Sequence, residues 1–325
     1  MTRKIDVLVI GAGPGGYPAA IRSTQLGKSV IIIERQEIGG ECLNWGCIPS
    51  KALIEAADFY HDMFHDAPTM GITVSDVSID MKKVQEWKVS VKDYLINGIK
   101  QLLKANKVET IFGKAHFVGP NQVDVSLNDG TTESIEADDV IIATGSGFRP
   151  LKGFTVDGKN ILSVRGTLNL DHVPEDIVFV GGGFVGLELG TVFAKLGSHV
   201  QIVELQDQIL PGVDPRLVRI VSRKLKKLGA DIYVNSGVKE VIRSDDEKMK
   251  VVIEQKGGKL LEIPADKIVI SIGKIPTNQG LGLEKAGIET SKRGWISVDI
   301  QQQTNVPHHY AVGDCTGGPF LAHRA

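Results

Sequence analysis

Ile5-Asp-Val-Leu-Val-Ile10-Gly11-Ala12-Gly13-Pro14-Gly15-Gly16 decides the fold. The run Ile5–Ile10 is short and wholly apolar save Asp6, as a strand buried in a parallel sheet requires. The glycine turn Gly11–Gly16 follows at once. Residues 17–26 then carry a helix pattern that Gly27 stops, and Val30-Ile-Ile-Ile33 is a second buried strand ending in Glu34. Strand, glycine turn, helix, strand and acid form a dinucleotide fingerprint in its full context. Its glycines let backbone approach a pyrophosphate at a helix N-terminus. Its acid accepts hydrogen bonds from the adenosine ribose.

The same pattern returns further along. Residues 175–180 are a strand leading into Gly181-Gly-Gly183-Phe184-Val185-Gly186, then a helix to Leu196-Gly197, then Val200–Val203 and Glu204. Asp6 and Asp176, Gly11 and Gly181, Gly16 and Gly186, and Glu34 and Glu204 are each displaced by 170 positions, without a gap. The sequence therefore predicts an α/β fold with two Rossmann-like dinucleotide-binding domains, each a central parallel sheet with a β-meander. A carboxylate closing each unit suits a free ribose 2′-hydroxyl and repels a 2′-phosphate, so each unit expects FAD or NAD rather than NADP.

Between the first unit and its helices lies Gly39-Gly40-Glu41-Cys42-Leu-Asn-Trp45-Gly46-Cys47-Ile-Pro-Ser-Lys51. In a regular helix Cys42 and Cys47 would have Cα atoms about 8 Å apart, and a disulfide needs less than about 7 Å. A bridge therefore requires bent backbone, which Gly46 permits, and Pro49 suits the first turn of a helix running on through Lys51. A disulfide at a helix start is a candidate for reversible redox work. A structural staple, or two free core thiols, is the alternative that the Cys-x4-Cys spacing alone leaves open.

The remaining pattern is ordinary. Residues 55–65 and 81–106 read as helices, and in the second Val84, Trp87, Val91, Tyr94, Leu95, Ile99 and Leu102 form a stripe read as core-facing. His61 and His65 read as exposed helix residues rather than metal ligands. Residues 107–142 alternate like a meander that closes at Ala143-Thr144-Gly145, and 147–174 cross to the second unit. Asp214–Leu228 reads as an amphipathic helix, and Asp231–Gly273 as strands closing at Gly273. Residues 308–314 read as a strand ending on Asp314, and Pro319–Ala325 as the first turn of a helix. The implied domains are 1–147, 148–273 and a return segment, 274–325. With 325 residues, a net charge of −2 and three cysteines, the chain has room for about two cores and no field favouring nucleic acid or an anionic membrane. It shows no membrane-length apolar run and no signal region, which points to a reducing, cytoplasmic setting.

On Gly11-x-Gly13-x-x-Gly16, the Cys42/Cys47 stretch, Ala143-Thr-Gly145, Gly181-x-Gly183-x-x-Gly186-Leu-Glu188, Tyr310-Ala-x-Gly313-Asp314 and Leu321-Ala322-His323, the whole chain resembles the flavoprotein pyridine nucleotide-disulfide oxidoreductases. Within them it is most similar to the dihydrolipoamide dehydrogenases. The resemblance implies FAD along the first unit, against Gly11, Gly13, Pro14, Gly15, Gly16, Glu34, Arg35, Gly40, Glu41, Gly46, Lys114, Ala115, Ala143, Thr144, Gly145, Gly313, Asp314, Leu321, Ala322 and His323. Glu34 would take the adenosine ribose and Asp314 the ribityl chain. It implies NAD on the second unit, against Gly181, Gly183, Phe184, Val185, Gly186, Glu204 and Gly273. It also implies that Cys42 exchanges with substrate and Cys47 meets the flavin, with Lys51 and Glu188 paired beside it. From residue types alone, Lys51 and Glu188 would be two solvated helix charges.

The implied reaction moves electrons from a small-molecule or lipoyl-domain dithiol to NAD, with 2-oxo acid dehydrogenase complexes as partners of a full-length enzyme. Glu41 and Trp45 stand where a small or aliphatic residue is more common, and Lys274 where an arginine is. The family's further domain, which makes the homodimer and supplies a histidine–glutamate base, has no counterpart before Ala325. The expectation is therefore a core retaining NADH–dye (diaphorase) activity, with a frayed tail from Pro319 and loosely held flavin. Mercuric reductase, another disulfide reductase core, and a non-catalytic nucleotide-binding fragment are the competing readings. Glu204 disfavours glutathione reductase, and the lack of Cys-x-x-Cys in the second unit disfavours thioredoxin reductase.

Overall fold

The computed structural model describes residues 2–243 and 249–325, so the part of the strand reading that falls on 244–248 lies outside the described residues. The chain divides into two compact units. One holds Met1–Ile48, Lys92–Gly147 and Lys274–Ala325, and the other holds Pro49–Val91 and Phe148–Gly273.

In the first unit β1 (Arg3–Ile10) runs through the glycine turn into α1 (Gly16–Gln25), and β2 (Val30–Glu34) lies parallel to β1 with Val7 opposite Val30. α2 (Gly40–Trp45) follows, then α3 (Cys47–His65), which from Pro49 on belongs to the second unit, and α4 (Met81–Ala105), which belongs to the first unit from Lys92 on. β3 (Glu109–Phe117) starts as a parallel partner of β2, then from Gly113 pairs antiparallel with β4 (Gln122–Leu127). β4 pairs with the start of β5 (Thr132–Ile142), whose later residues lie parallel to β1. The meander is therefore continuous with the parallel sheet. At Gly113, where β3 changes partner, a Cβ would sit 2.6 Å from the Ser126 carbonyl oxygen. β6 (Ser146–Gly147) pairs antiparallel with β15 (Ile275–Pro276). β16 (His309–Ala311), from the return segment, is the parallel edge strand beside β5.

Strands buried on both faces explain the unbroken apolar runs. Val7, Val9, Val30 and Ile32 pack in one core with Ala20, Leu43, Ile96 and Leu103 of the helices. Leu8, Ile10, Ile31 and Ile33 pack in another with Phe117 and Val125 of the meander and Leu281 and Ile296 of the return segment.

The second unit repeats the plan. Its parallel sheet has the order β10 (Asp231–Tyr233), β9 (His199–Val203), β8 (Asp176–Val180), β14 (Lys267–Ile270), β7 (Ile161–Ser163). Besides its parts of α3 and α4, its helices are α5 (Val164–Thr167), α6 (Phe184–Lys195) and α7 (Pro215–Lys227). A separate antiparallel sheet holds β11 (Ser236–Arg243), β12 (Met249–Gln255) and β13 (Leu260–Ala265). α7 starts as its sequence requires: the Asp214 side chain accepts from the Arg216 N–H at 2.8 Å, and Pro215 occupies the first turn. Two strands fill one role by different routes. The outer strand beside β5 comes from the C-terminal return segment, whereas the outer strand beside β14 is β7, which precedes its unit's glycine turn. The sequence reading left β7 inside a crossing segment, because three residues are too few to show a period.

The stripe on α4 needs correction. Ile99 is buried and Val84 and Val91 are partly so, but Trp87, Tyr94, Leu95 and Leu102 are exposed. The inward face runs through Met81, Lys88, Ile96, Ile99 and Leu103. Lys88 is buried on it and donates to the Leu168 carbonyl at 2.6 Å and to Asn169 Oδ1 at 2.9 Å. A lysine satisfied by carbonyl and amide oxygens can take an inward position that an apolar pattern assigns elsewhere. His61 and His65 stack at 4.1 Å on α3. No helix among the described residues is long and apolar enough to cross a membrane.

At one end of the second sheet, His199 Nδ1 lies 2.7 Å from Asp176 and Nε2 lies 3.0 Å from Asp231, tying β9 to both neighbouring strands. Asp176 first, with Asp231 adding, raises the His199 pKa against the opposing effect of burial. A raised folded-state pKa gives stability that is fully present below the unfolded value of about 6.5 and is lost as pH rises through the folded value. In thermal unfolding, wild type should therefore exceed His199→Gln most below about pH 6.5, and the gap should close at higher pH. A gap that widens with pH would contradict this assignment.

Candidate active site

Each nucleotide cradle is built by glycine. Gly11 has φ +106°, and a Cβ on it would lie 2.3 Å from the Ala143 carbonyl oxygen. A Cβ on Gly16 would lie 1.8 Å from the Gly11 carbonyl oxygen, so α1 starts against the end of β1 with no room for a side chain. Gly40 closes on Gly13, where a Cβ on Gly40 would be 2.7 Å from the Gly13 Cα. A Cβ on Gly13 itself would meet only the Gly40 Cα, at 3.7 Å, so the turn opens there. Glu34, buried at the end of β2, accepts from the Ala12 N–H at 2.9 Å and the Gln36 N–H at 2.8 Å. Each carboxylate oxygen keeps a further lone pair for a ligand hydroxyl. Arg35 is exposed beside it.

The second cradle has the same construction. Gly181 has φ +108°, a Cβ on Gly186 would lie 2.4 Å from the Gly181 carbonyl oxygen, and nothing lies within 4 Å of a Cβ on Gly183. Buried Glu204 accepts from the Gly182 N–H at 2.7 Å and the Gln206 N–H at 2.8 Å. These bonds are the counterparts of those at Glu34, again 170 positions on. Phe184 opens α6 with 57% of its surface exposed, Val185 is half-buried, and Gly273 follows the end of β14. In both cradles an open glycine, a helix N-terminus and a braced carboxylate fit a dinucleotide.

Cys42 and Cys47 are joined by a disulfide, with Cα atoms 4.6 Å apart. α2 ends at Trp45, Gly46 breaks the path at φ −140°, ψ −110°, and α3 begins with Cys47. The Asn44 amide pins α2 by donating to the carbonyls of Ile38 and Gly40, both at 3.0 Å. Both cysteines and Glu41 are half-buried. The bridge thus sits at a helix start, where unpaired N–H groups favour a thiolate. Lys51 lies one turn further along α3, and its Nζ donates to Glu188 Oε1 of α6 at 2.7 Å. The two are an ion pair rather than separate solvated charges. With 57% and 41% of their side chains exposed, the pair contributes at most about 1 kcal/mol to stability.

The remaining predicted residues fall in the first unit. Lys114 and Ala115 lie on the antiparallel part of β3. Ala143, Thr144 and Gly145 follow β5, and Asp314 lies in a 3-10 turn, Gly313–Thr316. Leu321 precedes a single 3-10 turn, Ala322–Arg324, where the sequence predicts a regular helix start with a frayed tail. The Phe320 ring lies 5.1 Å from that of Trp295, and the Arg324 side chain donates to the Gly318 carbonyl at 2.5 Å.

The sequence reading missed the polar latch around Asp314. Ser146 Oγ donates to Asp314 Oδ2 at 2.5 Å, Thr144 Oγ1 to Asn278 Oδ1 at 2.8 Å, and Thr277 Oγ1 to the Thr144 carbonyl at 2.5 Å. Only adjacency to Ala143-Thr144-Gly145 could have signalled it, since the partners are 133 or more positions away. Cys315, next to Asp314, is buried, and burial pushes its thiol up to about 11. It is no candidate for thiolate exchange.

The pyridine nucleotide-disulphide oxidoreductase family model matches residues 5–325. Dihydrolipoyl dehydrogenase of Bacillus subtilis is 44% identical over 323 residues, covering 99% of this chain and 68% of its own length. The mitochondrial dihydrolipoyl dehydrogenase of Bos taurus is 42% identical over 325 residues, 98% of this chain and 64% of its own length. Among solved structures, LpdA of Mycobacterium tuberculosis superposes with TM-score 0.88 at 28% identity, covering 99% of this chain and 70% of that one. The HOCl-induced flavoprotein disulfide reductase RclA of Escherichia coli, in a Cu(II) complex, superposes with TM-score 0.84 at 26% identity, covering 99% and 68%. With its redox-type disulfide and paired dinucleotide cradles, the chain belongs to the pyridine nucleotide-disulphide oxidoreductases.

Proposed function

We propose that the chain acts as a dihydrolipoyl dehydrogenase, moving two electrons from a dithiol of the dihydrolipoamide type to NAD through Cys42–Cys47. The observation that carries this reading is the disulfide at the start of α3, in one polypeptide with two dinucleotide cradles. FAD fits the first cradle, with Glu34 toward the adenosine ribose and Asp314 toward the ribityl chain. NAD fits the second, with Glu204 toward its ribose and Phe184 at the nicotinamide end. Lipoyl domains of 2-oxo acid dehydrogenase complexes are the macromolecular form of this substrate. A catalytic disulfide suits a reducing compartment such as the cytoplasm.

A substrate thiolate attacks Sγ of Cys42, forming a mixed disulfide and releasing Cys47 as a thiolate. The second substrate sulfur, deprotonated, then attacks its partner sulfur. The cyclic substrate disulfide departs, and Cys42 leaves as a thiolate that takes up a proton. Two electrons have now passed from the dithiol to the cysteine pair. The start of α3 favours the Cys47 thiolate over its thiol. FAD, held on the first cradle, would supply a two-electron relay between the Cys42–Cys47 pair and NAD, and loss of the electron pair would leave Cys42–Cys47 a disulfide again.

The chain has three cysteines, one of them free. Thiol titration of the denatured, oxidised protein should therefore release one thiol per chain, and after reduction three. Three before reduction would remove the redox pair. Cys42→Ser should lower dihydrolipoamide–NAD oxidoreduction of the FAD-loaded protein by at least about a thousandfold. Activity near wild type would mean that electrons bypass the disulfide. A 2′-phosphate set against Glu204 loses about tenfold to a hundredfold in affinity. NADH should accordingly be preferred over NADPH, and Glu204→Ala should narrow the ratio. Equal use of both cofactors by wild type would refute the assignment of Glu204.

A further inference from the structure

We infer that Ser146 is a positioning residue that holds the Asp314 carboxylate in its flavin-binding orientation. This inference rests on the proposed placement of FAD on the first unit and deepens it. Ser146 is buried, and its hydroxyl donates to Asp314 Oδ2 at 2.5 Å. The bond joins positions 168 apart. β6, which carries Ser146, is itself fixed by pairing with β15, with Ser146 opposite Pro276. Asp314 stands in a short 3-10 turn whose first residue, Gly313, has φ +77°.

A hydroxyl that donates to one carboxylate oxygen fixes the rotamer about the final side-chain torsion and leaves the other oxygen to accept from a ligand hydroxyl. The ordering cost of that rotamer is then met on folding and not on flavin binding. The neighbouring bonds, Thr144 to Asn278 and Thr277 to the Thr144 carbonyl, hold the same loop but do not touch Asp314. Their loss should loosen the loop without this specific effect.

The experiment is FAD titration of apoprotein, read by flavin fluorescence, with NADH binding and far-UV circular dichroism as controls for folding. Ser146→Ala should weaken FAD binding about tenfold, the scale of one hydrogen bond to a charged group. Ser146→Thr, which keeps the hydroxyl, should restore affinity to within about threefold of wild type. In an Asp314→Ala background, Ser146→Ala should change affinity by less than about twofold, because the group it positions is gone. Unchanged affinity in the single variant would overturn the inference. So would an undiminished effect in the Asp314→Ala background, or failure of threonine to restore binding while the controls show a folded chain. Wild-type apoprotein that binds no FAD would overturn the flavoprotein reading itself, which separates the two failures.

Discussion

A helix can begin against the end of a strand only where no side chain stands between them. At Gly16 a Cβ would lie 1.8 Å from the Gly11 carbonyl oxygen, and at Gly186 it would lie 2.4 Å from that of Gly181. These two close approaches govern the rest. They aim α1 and α6 at the openings left beside Gly13 and Gly183. They also place the N–H groups of Ala12 and Gly182 where Glu34 and Glu204 can accept from them. Each carboxylate is thereby fixed before any ligand arrives, which lowers the ordering cost of binding. In the first unit the approach of Gly40 to Gly13 extends the constraint to α2, and so to Cys42.

Two thiol environments follow from the same backbone. Cys42 and Cys47 lie half-buried across the break at Gly46, with Cys47 at a helix start. Cys315 is sealed in the core, where burial holds its thiol near 11. Reactivity in this chain is thus assigned by position, since the residue type is the same.

The nucleotide cradles were legible because their geometry admits few residues. Glycine is obligatory at a forced close approach, and a repeat in unbroken register exposes it twice. The disulfide was legible only as an option from Cys-x4-Cys, and the resemblance of the surrounding stretch selected it. Other features were hidden for physical reasons. The inward face of α4 includes Lys88, whose charge is met by oxygens of Leu168 and Asn169 as well as Gln85, and the first two lie outside the local pattern. The edge strand β7 is three residues long and has no period to read. The tail beyond Pro319 takes its packing from Trp295, and Asp314 takes its hydroxyl partner from position 146, so both depend on contacts distant in sequence.

The central claim is that flavin and disulfide form one electron-accepting unit. Anaerobic dithionite titration of the FAD-loaded, oxidised protein measures it directly. A bound flavin accepts two electrons and a disulfide two more, so wild type should take up four electrons per FAD and Cys42→Ser only two. Uptake of two electrons per FAD by wild type, with its disulfide intact at the end point, would contradict the account.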